Sequence, residues 1–457
     1  MRSLLRISIV ITFFSYLTML HVSALSYEES HMIVAFELDT AEKEVFELLE
    51  TQGFTVSRKL SRVQQIYLVK SGIRRFDRES VEALKRSSRV RYVQSDHLIQ
   101  SRQVTPPNSD FLKQWGLFEL AGRNDIKATE AWSLGTGGIT QTGEDVVVAI
   151  VDGGFELDHP SLEENIWQNS IEIPGNGIDD DGNGYIDDIH GWNAYNKNGE
   201  IPVADHGTHV MGIVGARAPK EHGSVGVNWQ VKLLPVAGSS GRTSVIVEAY
   251  SYVLENKLRW LKTGGQEGAN VVATNSSFGV DFGDCLSGDY PVWNDLYNAM
   301  GEAGILSAAA TINSDVNVDK NGDVPTQCTS DFLVAVTNTT KEGVKFKAAG
   351  YGKESIDLAA PGTEIFSTVP QKQYAEMTGT SMATPHVAGA IGFLFSVASY
   401  DFLQFYYSQP AQGALLIKDI LLETVDLRAD LEDFTVSGGQ LNLQRAAEKI
   451  HNWKESL

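Results

Sequence analysis

"EDVVVAIVDGG", residues 144–154, decides the fold of this chain. Apolar residues run unbroken from Val146 to Val151, and then Asp152 and two glycines follow. A strand with one face in water alternates apolar and polar residues; an unbroken run is buried on both faces, as in the middle of a parallel sheet. The same pattern recurs in "VKLLPVAG" (231–238), "ANVVATNSSFG" (269–279), "GILSAAATIN" (304–313) and "DFLVAVTNTT" (331–340). Helical stretches lie between them, such as "SVIVEAYSYVLENKLRWLK" (244–262) and "VWNDLYNAMGEAG" (292–304). Strands alternating with helices predict an α/β domain with a doubly wound, mostly parallel sheet. Ligands of such sheets bind beyond the carboxyl ends of the strands.

Upstream the pattern differs. Residues 31–97 read strand, helix, two strands, helix, strand: "MIVAFEL", "AEKEVFELLETQG", "FTVSRKL", "QQIYLVKS", "RESVEALKRSS" and "VRYVQSD". That order predicts a small ferredoxin-like α+β unit. "QSRQVTPPNSD" (100–110) then breaks the pattern with two prolines and polar residues, as a linker does. The first residues, "MRSLLRISIVITFFSYLTMLHVSALS", carry two arginines, an apolar run and Val22-Ser23-Ala24, the layout of a cleavable secretory signal. An uncleaved N-terminal anchor is the alternative. The expected organisation is a signal over 1–24, the small unit over 25–102 and the large domain over 103–457.

Of 457 residues, 42% are hydrophobic and 42 are glycine, as in a globular protein with many tight turns. The formal net charge is −21, and residues 1–102 carry 15 basic against 12 acidic side chains. The acidity therefore lies wholly beyond residue 102, which argues against nucleic acid or an anionic membrane as partner. No later stretch is long and apolar enough for a bilayer span. The two cysteines, Cys285 and Cys328, are the minimum for one disulfide in an oxidising compartment, and that bridge is expected.

Three segments carry the chemistry. Asp152 ends the first strand, His206 stands near the start of "DHGTHVMGIVGA", and Ser381 near the start of "GTSMATPHVAGA" (379–390). Each has an ordinary explanation alone: a turn Asp, a capping His, an N-cap Ser. Together they are the types needed for an activated serine nucleophile. The His takes the hydroxyl proton, the Asp orients the imidazole, and a helix start offers free N–H groups to a developing oxyanion.

With Asp152, "HGTHV" (206–210) and "GTSMATPHVAG" (379–389), the chain resembles the subtilisin-like serine proteases over residues 110–450, in the order Asp, His, Ser. It departs at Asp-Gly-Gly, where the family has Asp-Ser/Thr-Gly. The resemblance implies an oxyanion donor at Asn313, although Ile312 stands where the family has Gly. It also implies a segment, "NSSFG" (275–279), that pairs with substrate backbone through Ser277, Phe278 and Gly279. Pro385 is expected in the first helical turn, where a missing N–H costs little.

"GNGIDDDGNGYIDDIHGWN" (175–193) has the oxygen-ligand spacing of a calcium loop: Asp179, Asp181, Asn183, the Tyr185 carbonyl and Asp187. The twelfth position is His190, so it is no EF-hand, and Asp188 is a candidate for the missing carboxylate. "DVNVDKNGD" (315–323) is a weaker second candidate. The small N-terminal unit resembles the inhibitory propeptide of the family, which implies that it aids folding and blocks the cleft until cut between 99 and 106. The function expected is a secreted, monomeric, calcium-stabilised, self-processing serine endopeptidase of broad specificity, acting on proteins or peptides outside the cell or in a periplasm. The alternatives are a selective processing protease and a catalytically silent peptide-binding homologue.

Overall fold

The structure, a computed structural model, describes residues 27–61, 63–71, 78–97, 105–108, 110–119, 124–217 and 222–455. The signal and most of the expected cleavage window, 99–106, lie outside these. The chain divides into two units at Arg102 and Gln103, where the proline-bearing linker was expected.

The first unit runs β1 (Tyr27–Phe36), α1 (Glu42–Thr51), β2 (Phe54–Ser61), β3 (Ile66–Ser71), α2 (Arg78–Arg86), β4 (Val90–His97). Its antiparallel sheet has the order β2-β3-β1-β4. Alternate residues of β1, Met32, Val34 and Phe36, turn inward onto Val45 and Leu49 of α1 and Leu84 of α2. This is the element order predicted from the sequence.

The second unit is built on a nine-stranded sheet. Its strands are β5 (Val147–Asp152), β6 (Trp192–Asn193), β7 (Lys232–Ala237), β8 (Val271–Ser276), β10 (Leu306–Ala310), β12 (Leu333–Thr339), β13 (Leu358–Pro361), β16 (Asp426–Leu427) and β17 (Gly439–Gln440). The order is β16-β17-β13-β12-β10-β8-β5-β7-β6, parallel throughout except for β16 on β17. Two short ladders stand outside it: β9 (Val280–Asp281) with β11 (Asp323–Val324), and β14 (Ile365–Val369) with β15 (Gln373–Met377).

The apolar run of β5 explains why the sheet is covered twice. Val148 and Ile150 enter a core built with α4 (Asp205–Gly215) and α8 (Thr380–Val397). Val147, Ala149 and Val151 enter the opposite core, with α5 (Thr243–Thr263) and α6 (Pro291–Glu302). One amphipathic face could not serve both layers, so the sequence reads as a continuous apolar stretch. Among the described residues no single helix is long and apolar enough to cross a membrane.

Candidate active site

The register Val151↔Ser276 and Ser276↔Ala309 sets the carboxyl ends of β5, β8 and β10 side by side. The chain leaves these ends at Asp152, Ser277 and, three residues beyond β10, Asn313. The crevice expected beyond these ends is therefore flanked by Asp152, Ser277 and Asn313.

Asp152 is 2% exposed. Its carboxylate accepts the Gly153 N–H at 2.7 Å and meets His206 Nδ1 with both oxygens, at 3.0 and 2.9 Å. Gly207 makes room for this contact, since a Cβ there would stand 2.3 Å from the Gly154 carbonyl oxygen and 3.0 Å from Asp152 Cβ. Burial acts to lower the His206 pKa, but the hydrogen bond and charge of Asp152 outweigh it and leave the imidazole raised. The N-cap position of α4 is Ala204, and His206 makes no cap.

The other two histidines of these motifs are structural. His209 Nε2 bonds the Ile365 and Ala375 carbonyls at 2.9 and 3.1 Å, and His386 Nδ1 bonds the Met382 carbonyl at 2.9 Å. Burial pushes each down to about 4.

Ser381 is the second residue of α8, 8% exposed, and the N-cap position is Gly379. The capping explanation therefore falls away. Ser381 Oγ donates to the Ser277 carbonyl at 3.3 Å, and Ser277 Oγ donates to the Ser381 carbonyl at 3.0 Å. Pro385 explains the second bond. It lies inside the helix and not in its first turn as expected, so its missing N–H leaves the Ser381 carbonyl without an i+4 donor. The Ser277 hydroxyl takes that place. No hydrogen bond joins His206 to Ser381; such contacts are often long before substrate is bound. The helices that carry them, α4 and α8, pack together.

Asn313 is exposed. Its Oδ1 accepts the Thr380 N–H at 2.9 Å and the Thr380 hydroxyl at 3.1 Å, and the residue lines a cavity shared with Ser381. That cavity, about 100 Å³, has Ser277, Phe278 and Gly279 on one wall and Ala310 to Asn313 on the other. Asp281 and Asp323 also line it; Asp323 ends the second calcium candidate, and Asp281 belongs to no motif in the sequence.

The acidic loop gathers around a residue the sequence reading missed. Ligand oxygens of Glu172, Asp179 and Asp181 lie within 4.8 Å of one another. Glu172, 5% exposed, accepts the N–H groups of Asp180 and Asp181 through Oε1 and of Asp187 through Oε2. Asp188 is turned into the core: it accepts from Asn169, Asn183 and Tyr252 at 2.9, 3.1 and 2.8 Å, and burial pushes it up to about 6. Asn183 donates its amide to Asp181 as well. Asp187 Oδ1 is buried with no partner. The Tyr185 ring packs edge-on against Trp192 and Tyr252, which anchors the loop. Hard oxygen donors and an orphaned carboxylate oxygen fit a calcium ion. The second acidic stretch does not gather: Asp315 pairs with Lys345, Asp319 accepts from Glu354 and Ser355, and Asp323 goes to the cavity.

Cys285 and Cys328 form a disulfide, Cα to Cα 5.1 Å. It ties the segment after β9 to the segment after β11.

The subtilase family model (peptidase S8) matches residues 143–444. The chain belongs to the subtilase family. Subtilisin amylosacchariticus of Bacillus subtilis subsp. amylosacchariticus is 26% identical over 401 residues, 86% of this chain and 85% of that one. Subtilisin-like protease 1 of Plasmodium berghei (strain Anka) is 27% identical over 407 residues, 80% of this chain and 63% of that one. A solved protease structure from Pseudoalteromonas arctica PAMC 21717 matches with a TM-score of 0.54 at 24% identity, covering 76% of this chain and 99% of that one, a likeness of fold. As a subtilase this protein is a serine endopeptidase, and its substrates are proteins or peptides.

Proposed function

We propose that Asp152, His206 and Ser381 form the catalytic triad of a subtilase exported as a self-processing zymogen. The observation that carries this is the Asp152 carboxylate bonded to His206 Nδ1 through both oxygens. It fixes the tautomer with the lone pair on Nε2 and stabilises the imidazolium once a proton arrives. His206 takes the Ser381 hydroxyl proton as Oγ attacks the scissile carbonyl. The oxyanion is received by Asn313 Nδ2 and by the Ser381 N–H, one of the α8 donors without an intrahelical partner. His206 then gives its proton to the leaving amine, and water releases the acyl group by the same route.

Ser277, Phe278 and Gly279 line the cavity next to the nucleophile, which suits them to hold extended substrate backbone. Glu172, Asp179 and Asp181, with Asp187 beside them, would hold a calcium ion. Its contribution is to neutralise clustered carboxylates and cross-link the loop. The first unit acts as inhibitor and folding aid, and the signal and the disulfide accord with an oxidising, extracellular destination. Asp281 and Asp323, which line the cavity beside Ser381, favour a selective enzyme over a broad degradative one.

The test is the intact mass of the exported protein, wild type beside Ser381→Ala, expressed with calcium. The wild type should lose everything up to the linker and take a fluorophosphonate on Ser381, while the variant keeps the first unit and takes none. Identical processing without labelling in both would return the chain to a silent peptide-binding homologue.

A further inference from the structure

Beside Ser381 lies a cavity lined by two carboxylates and by no lysine or arginine. Asp281 and Asp323 are directly paired across the antiparallel β9–β11 ladder. Like charges in that arrangement destabilise a sheet. Asp323 is 1% exposed, and a buried carboxylate without a cation is costly. Its partners are one-sided: the hydroxyls of Thr311 and Thr326 and the Ile312 N–H all donate to Oδ2, and none to Oδ1. Asp281 is exposed, and among the described residues none donates a hydrogen bond to its carboxylate. The disulfide from Cys285 to Cys328 ties together the segments that follow the two strands.

We infer that this cavity is the pocket for the residue preceding the scissile bond, and that it selects lysine or arginine, with Asp323 Oδ1 as the main counter-ion and Asp281 as the second. The inference rests on the serine endopeptidase assignment of Ser381. An apolar substrate side chain would bury Asp323 further without a partner. An ammonium or guanidinium supplies the missing charge and the missing donors together. Burial and the Asp281 charge outweigh the hydrogen bonds from Thr326, Thr311 and Ile312 and leave the Asp323 carboxyl pushed up to about 6, a value that a substrate cation beside it would lower.

The chain contains a matching substrate. In the expected processing window, 99–106, "IQSRQVTP", Arg102 is the sole basic residue. Self-processing by such a pocket cuts after Arg102 and leaves Gln103 as the mature N-terminus.

The experiment compares kcat/KM for peptides differing only before the scissile bond: arginine, lysine, citrulline, norleucine and phenylalanine. Arginine and lysine should exceed their neutral isosteres by on the order of 100-fold, since a site with a buried charge rejects analogues that leave it unpaired. Asp323→Asn should collapse that ratio. Because Asp323 also braces Thr311 and Ile312, Asp281→Asn, at an exposed position, is the second variant and should narrow the ratio severalfold. Equal or better hydrolysis of phenylalanine or norleucine peptides would overturn the pocket assignment while leaving the protease standing. Processing at a position other than Arg102 in the wild type, absent from Ser381→Ala, would overturn it too. Should no peptide be cut and no fluorophosphonate bind, the protease assignment itself fails. Binding of p-aminobenzamidine to Ser381→Ala then decides the pocket: capture that Asp323→Asn abolishes sustains it, and no capture overturns it.

Discussion

Ser277 and Ser381 exchange hydrogen bonds, each hydroxyl donating to the other's carbonyl. One half of the exchange repairs a helix, because Pro385 cannot supply the N–H that the Ser381 carbonyl would otherwise meet. The other half holds the Ser381 hydroxyl in a defined direction before substrate arrives. Ser277→Ala removes only the first half and should therefore cost stability, about 1–3 kcal/mol for the stranded acceptor, while the Ser381 hydroxyl keeps its bond to the backbone carbonyl of residue 277. Thermal unfolding checks this. In a double-mutant cycle, Pro385→Ala should reduce the loss by restoring a helical donor; additive losses would show that the two sites are not coupled.

Asn313 braces Thr380 through Oδ1, and in the proposed mechanism its Nδ2 serves the oxyanion. Asn313→Ala should lower kcat by on the order of 10²–10³ with little change in KM, a range that comes from a subtilisin. Asn313→Asp keeps the cap and loses the donor, so it should be no better. Near-normal turnover in Asn313→Asp would move the oxyanion donor elsewhere.

The raised His206 pKa sets the direction of the acid limb. Catalysis needs the neutral imidazole, so kcat/KM should fall as pH drops through a value above the ordinary ~6.5. His209 and His386, both held near 4, should add no second step there. A substrate with a neutral side chain before the scissile bond keeps the titration of Asp323 out of the profile. Asp152→Asn should shift the limb to lower pH besides slowing turnover. On stability the same shift works the other way: its contribution is complete below the unfolded imidazole value and is lost as pH rises through the folded one. A rate flat to pH 4 would remove His206 from the role of base.

Glu172 tests the calcium reading. Wild-type melting temperature should rise with the logarithm of calcium concentration and fall with chelator, as for any ligand bound by the native state alone. Glu172→Gln should flatten that dependence while kcat at saturating calcium stays near wild type. An unchanged calcium response would show that the cluster around Glu172 does not hold the ion.

Lys257 is a buried amine in α5, donating to Asn270 Oδ1 at 2.7 Å and the Tyr406 hydroxyl at 3.0 Å, and burial lowers it to about 7. The unfolded chain keeps that proton to about pH 10.4, so stability should rise from pH 7 toward 10 as the folded state sheds it. Lys257→Met should remove this slope in denaturant unfolding measured across the range.

Much of this was legible because it is local. The apolar run before Asp152, the two-residue alternation of β1 and the motifs around His206 and Ser381 each announce themselves within a dozen residues. What stayed hidden depends on pairings between distant segments. Glu172 precedes the acidic loop and belongs to no ligand spacing, yet it binds three of that loop's N–H groups. Asp323 sits in a stretch that reads as a calcium loop, and only its register with Asp281 carries it to the cavity. The β14–β15 hairpin is not legible, because β15 is half-exposed and Ser367 and Thr368 interrupt the apolar residues of the buried β14. The error over Pro385 was one of helix phase: placing the first turn too late hid the carbonyl that Ser277 serves.

The Cys285–Cys328 bridge also gives the enzyme a sense of place. It joins the segments following β9 and β11, so the two opposed aspartates are held together by a covalent bond that a reducing cytosol would not allow. With the two cysteines reduced, Ser381 would stay in place on its helix while the short β9–β11 ladder alone held the aspartates together. Any charge selectivity of the cavity should then depend on the bridge being closed, not on Ser381 alone.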